Sequence, residues 1–216
     1  MSEDSARAFL DPRKLLTPMV AAVNTAYQAA LECQPMPPWL RNALILSGLA
    51  LATFSVNNLA MLWTAKTFLL NMAEHNHGHF LIVASQTGYV ATAGLTDYSA
   101  TKAAAIAIYE GLHSEMRNLN RAPAVRVSCV SPSAVDTKMF SGIKLNGGMK
   151  SLTPEELGDA IVDVLRSGKA QHILVPRSAY LATPTRMLPD WLRVVMQDGA
   201  IGVFTNLKPH NPMADS

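Results

Sequence analysis

Three short apolar runs constrain this chain more than any other feature: residues 79–84, 124–130 and 172–175. A strand covered on one face alternates apolar and polar residues, whereas a nearly continuous apolar run belongs to a strand buried on both faces of a parallel sheet. Helical patterns separate the runs. Residues 55–74 read as a helix closed by His75-Asn76-His77-Gly78, with Gly78 suited to a left-handed C-cap. A long helix is expected over 97–118. The strand over 124–130 should stop at Ser131-Pro132-Ser133. Thr153-Pro154-Glu155-Glu156 then places a capping hydroxyl, a proline at the first helical position and two acids in the first turn of a helix running to about Arg166. Strand and helix alternating at this spacing imply right-handed crossovers and an α/β doubly wound parallel sheet.

Residues 1–54 differ in character. Two apolar stretches flank Gln34-Pro35-Met36-Pro37-Pro38, where the prolines impose a break. The stretch 43–52 is shorter than the ~20 residues of a spanning helix, which favours a buried or interfacial helix. It lies internally behind a polar, acidic N-terminus, unlike a secretory signal. The chain therefore divides into an apolar helical N-terminal segment (1–54), a catalytic α/β region (55–180) and a C-terminal cover and tail (181–216). Tyr180, Trp191, Leu192, Val194, Val195 and Met196 suit either an amphipathic cover over a cleft or a membrane-facing helix. Eighteen basic against 16 acidic residues, with no basic run, give no support to nucleic-acid binding. Cys33 and Cys129 lack any metal or redox spacing and fit a reducing, intracellular compartment. Eleven methionines keep a lipophilic ligand or a membrane surface open.

The chemistry concentrates in Tyr98-Ser99-Ala100-Thr101-Lys102. An i, i+4 spacing puts the phenol and the ammonium on one helix face. A phenol near its ordinary ~10 must fall by roughly three units, about 4 kcal/mol, to exchange protons at neutral pH. A fixed neighbouring cation favours the phenolate and supplies such a shift. Ser85 follows the strand 79–84, at the end where open α/β sheets bind ligands, so its hydroxyl can hold a substrate oxygen. Asn57 sits inside a helix, where asparagine is intrinsically disfavoured, and so invites a functional reading.

Asn57, Ser85, Tyr98 and Lys102 resemble, in order and spacing, the Asn-Ser-Tyr-Lys tetrad of short-chain dehydrogenases/reductases. Pro132-Ser133-Ala134-Val135-Asp136-Thr137 is similar to that family's Pro-Gly-x-Val-x-Thr turn, with Ser133 in place of the glycine. The segments around Trp63-Thr64-Ala65-Lys66, Asn76-His77-Gly78-His79 and residues 84–90 look most like the retinol dehydrogenase and 17β-hydroxysteroid dehydrogenase branch. The resemblance implies the C-terminal half of a Rossmann-like fold and an NAD(P)-dependent oxidoreductase that interconverts a lipophilic alcohol, retinoid or steroid, and its carbonyl. It implies that Tyr98 exchanges the proton and that Lys102 lowers the Tyr98 pKa while bonding the nicotinamide ribose. Ser85 would orient the carbonyl, and Asn57 would hold helix geometry and a water. Pro132, Val135 and Thr137 would contact the nicotinamide of NAD or NADP. Membrane-surface contact and a homodimer are open by the same resemblance.

The family's Thr-Gly-x-x-x-Gly-x-Gly phosphate turn has no counterpart in these 216 residues. The expectation is a chain that passes from an apolar segment straight into the fifth-strand region. That leaves an alternative reading, a catalytically inactive truncated remnant or a dimerisation protein without the phosphate site. Three other motifs are set aside. Ser99-x-x-Lys102 resembles acyl-enzyme nucleophiles, but Ser-Asp-Asn and Lys-Thr-Gly are missing. His75, His77 and His79 alternate in direction after a helix, a poor metal chelate, so no metal site is expected. Gly142, Gly147 and Gly148 lack the Lys-Ser/Thr of a phosphate loop.

Overall fold

The computed structural model describes residues 48, 50–92, 95–137, 151–195 and 197. Most of the 1–54 segment, the glycine loop at 142–148, and the tail past 197 lie outside them. The chain divides into two compact units, Met1–Met72 and Ala73–Ser216. The described part of the first unit is helical: residues 50–54, a π-helical turn Ser55–Leu59, and α1 (Ala60–Glu74), whose last two residues fall in the second unit. The expected boundary at 54/55 thus lies within continuous helix. Ser55 closes against the preceding turn by donating its hydroxyl to Leu51 O at 2.8 Å.

Among its described residues the second unit holds a three-stranded parallel sheet in the order β1-β2-β3, with β1 at Gly78–Val83, β2 at Val125–Pro132 and β3 at His172–Val175. Val83 pairs with Val130, and Pro132 pairs with Val175, so the carboxyl ends of the strands lie on one edge. The central strand β2 is buried along its length except at Arg126, as expected of a strand covered on both faces. Helix α2 (Thr96–Asn118) joins β1 to β2, and α3 (Pro154–Arg166) lies between β2 and β3. Ile82, Val127, Cys129, Val130 and Thr101 form the most enclosed part of the core.

Two local expectations shift. The left-handed residue after α1 is Asn76, with φ 45°, and Gly78 instead opens β1. Asparagine tolerates that region, and its Oδ1 accepts from Ala124 N at 2.9 Å, tying the turn to the entry of β2. Strand β2 runs through Ser131 and Pro132 rather than stopping before them, because proline lacks a donor but keeps an acceptor and sits at the strand's end. Residues 177–187 form a 3-10 helix, followed by helical turns at 190–195 in which Trp191 and Val195 stay exposed. No helix among the described residues is long and apolar enough to cross a membrane.

Candidate active site

The carboxyl edge of the sheet collects most of the residues singled out above. β1 delivers Ser85 two residues past Val83, and β2 delivers Pro132 beside it: the Ser85 hydroxyl donates to Pro132 O at 3.4 Å. Ser85 also accepts from Thr87 N at 3.2 Å and Thr87 Oγ1 at 3.1 Å, capping a short 3-10 turn, Gln86–Gly88. Beyond Pro132 the turn is held by Ser133 N donating to Val175 O at 2.8 Å. Val135 bridges Leu152 in parallel fashion, and Thr137, exposed, is the last described residue of the turn.

Tyr98 and Lys102 enter from the first turns of α2. The Lys102 ammonium lies 5.6 Å from the centroid of the Tyr98 ring and donates to Val83 O at 3.1 Å. Burial pushes the Tyr98 phenol above its ordinary range, and a hydrogen bond with Ser85 pulls the other way. Burial likewise pulls Lys102 below the usual lysine range. The downward shift expected of Tyr98 from its lysine neighbour therefore does not prevail. No field of Lys102 offsets this burial: its ammonium sits over the ring and donates to a backbone carbonyl.

Asn57 occupies the π-helical turn of the first unit and is half-buried there. A π-turn adds one residue to a helical turn, so this asparagine, disfavoured in a regular helix interior, lies in an irregular one.

Several contributors carried no local sequence signal. Gly88 is one: a Cβ there would meet Lys102 C and O at 2.9 Å and Ile106 Cδ1 at 2.7 Å, so the serine turn rests directly on the lysine turn of α2. Arg186 is another, from 98 residues away in sequence, donating to Gly88 O. Next to these lies a polar cluster about His172, whose Nε2 is 3.0 Å from Ser131 Oγ and 3.1 Å from the Tyr89 hydroxyl. Tyr109 packs edge-on against its ring at 5.1 Å. Of the three histidines weighed as a chelate, His79 is engaged elsewhere, with Nε2 2.8 Å from Ser128 Oγ. A cavity of about 510 Å³ opens between residues 89–91 and the C-terminal segment, lined by Tyr89, Val90, Arg186, Asp190 and Arg193 among others.

The family model described as short chain dehydrogenase matches residues 48–146. Estradiol 17-beta-dehydrogenase 11 of Mus musculus is 37% identical over 139 residues, covering 64% of this chain and 46% of that protein. Retinol dehydrogenase 10 of Xenopus tropicalis is 33% identical over 198 residues, covering 86% of this chain and 58% of its own length. Among solved structures, a short chain dehydrogenase from Burkholderia cenocepacia J2315 in complex with NADP superposes with a TM-score of 0.56 at 25% identity, over 68% of this chain and 58% of that one. The chain spans about half the length of the curated relatives it matches. The parallel sheet, the serine and tyrosine-lysine turns at its carboxyl edge and these relatives place the chain in the short-chain dehydrogenase/reductase family, on its retinol and 17β-hydroxysteroid dehydrogenase branch.

Proposed function

We propose that this chain carries the proton-transfer side of an NAD(P)-dependent oxidoreductase acting on a lipophilic alcohol or its carbonyl. The observation that carries the reading is the half-buried Tyr98 beside Ser85 and Lys102 at the carboxyl edge of the sheet. The Tyr98 hydroxyl gives a proton to a substrate oxygen during carbonyl reduction and takes it back during alcohol oxidation. Ser85 orients that oxygen and steadies the phenolate left behind. Pro132, Val135 and Thr137 fit the nicotinamide end of a dinucleotide, and the half-buried Lys102 ammonium has three donors, of which one is used among the described residues, on Val83 O. A sugar hydroxyl suits the others. When bound, the dinucleotide supplies or accepts the hydride. The Burkholderia relative's NADP and the retinol and estradiol in the names of the curated relatives support this class of cofactor and substrate.

Purified protein tested for nicotinamide-cofactor binding and for turnover of retinoid, steroid and aliphatic alcohols, beside Tyr98→Phe, decides the matter. Turnover that falls ~100-fold or more in Tyr98→Phe supports the reading; equal rates in both overturn it.

A further inference from the structure

We infer that Arg186 is a positioning residue for this site, clamping the Ser85 turn against the Lys102 turn of α2. The inference rests on the proton-transfer reading of Tyr98 and Ser85. Arg186 Nη2 donates to Gly88 O at 2.6 Å and its Nε donates to Tyr89 O at 3.0 Å. Two donors of one rigid, planar group on consecutive carbonyls fix the orientation of a loop as well as its distance.

The clamped residue lies at the junction that matters. Gly88 N donates to Ser85 O at 3.0 Å, so the clamp and the serine belong to the same tight turn. On its other side Gly88 approaches the Lys102 backbone so closely that no Cβ fits. Pulling on Gly88 O therefore sets where the Ser85 hydroxyl stands relative to the Tyr98 and Lys102 side chains.

Arg186 is itself anchored to the sheet through the C-terminal 3-10 helix, Arg177–Met187. The neighbouring Thr185 is buried, and the Tyr180 hydroxyl donates to His172 O on β3 at 3.3 Å. Gln197 makes a different contact, Nε2 to Ala91 O at 3.1 Å, farther along the loop and without touching the serine turn. It provides the control. A lysine at position 186 keeps the charge but not the fork, so it can serve one carbonyl at a time.

The test reads Tyr98 itself and needs neither cofactor nor turnover. The full chain, labelled with 13C-tyrosine and assigned by Tyr98→Phe, is titrated by NMR as wild type, Arg186→Met, Arg186→Lys and Gln197→Ala, with amide hydrogen exchange measured in parallel. A loosened serine turn weakens the Ser85 hydrogen bond that pulls the Tyr98 pKa down. Arg186→Met is expected to raise the Tyr98 midpoint by about half a pH unit or more. The Gly88 and Tyr89 amides should exchange about tenfold faster while β2 and β3 keep their protection. Arg186→Lys should fall between, and Gln197→Ala should match wild type.

An unchanged Tyr98 midpoint in Arg186→Met overturns the inference. So does an equal rise in Gln197→Ala, or faster exchange spread evenly over β2 and β3. If Arg186→Met does not fold, the Arg186→Lys midpoint decides alone, and one equal to wild type overturns the inference. Wild-type protein without turnover would count against the proposed function while leaving this titration readable. In active protein, Arg186→Met should lower kcat more than it changes KM and move the alkaline rise of alcohol oxidation to higher pH.

Discussion

Replacing Gly88 with alanine tests the contact between the serine turn and α2 most directly. Elsewhere a Gly→Ala change in a compatible turn stabilises by about 0.4–1 kcal/mol, because the unfolded chain loses freedom. Gly88 should reverse that sign. Its added Cβ would meet Ile106 Cδ1 at 2.7 Å and, more seriously, Lys102 C and O at 2.9 Å. The isoleucine methyl can rotate away, but the lysine carbonyl belongs to the interior of a 23-residue helix and cannot. Overpacking against immovable atoms typically costs about 1–3 kcal/mol, so a net loss of about 1–2 kcal/mol remains after the entropic gain. For a chain of this size that is a fall of roughly 2–8 °C in Tm. Thermal unfolding of Gly88→Ala, Ile106→Val and the double variant separates the contributions. The double variant should recover less than half of the Gly88→Ala loss in a double-mutant cycle, because only the side-chain clash is relieved. A stabilised or neutral Gly88→Ala, or full rescue by Ile106→Val, would refute the claim that the turn rests on the Lys102 backbone.

Thr153→Ala removes a capping box in which Thr153 Oγ1 accepts from Glu156 N and a Glu156 carboxylate oxygen accepts from Thr153 N, so urea unfolding should report a loss of about 1 kcal/mol. Cys129 is buried and its thiol is pushed up to about 11, chiefly by burial, so peptide mapping after iodoacetamide at pH 8 should find it unmodified in native protein and modified in urea. Burial also pulls His172 and His79 below the ordinary histidine value. Both bind protons more readily once unfolded, so the stability they contribute is fully present above about pH 6.5 and is lost as pH falls from there through their lowered folded values. Urea midpoints at pH 7.5 and 5.0 measure this, and His172→Asn should flatten the dependence. Equal slopes in the variant and wild type would assign the acid loss elsewhere.

Much of the fold was legible because its determinants are local. A run such as 80–84, apolar at every position, reads as a strand, although β1 alternates more and less buried residues and leaves Val83 exposed rather than covered on both faces, and the Thr-Pro-Glu-Glu start of α3 caps itself. Tyr98, Lys102 and Ser85 were legible because spacing along one helix, or at one strand end, already implies a shared edge. The left-handed role passed from Gly78 to Asn76 because a bond from Asn76 Oδ1 to the distant Ala124 amide stabilises that conformation. Tyr98 departs from its expected pKa direction because burial is a property of the packed site, and no spacing of tyrosine and lysine encodes it. Gly88, Arg186 and His172 are ordinary residues in sequence. They acquire roles only where chain segments up to 98 residues apart meet, since a clamp on a carbonyl or a missing Cβ has meaning only when both partners are in place. The sequence by itself determined which residues could do chemistry; tertiary packing decided how far apart they stand and how deeply each is buried.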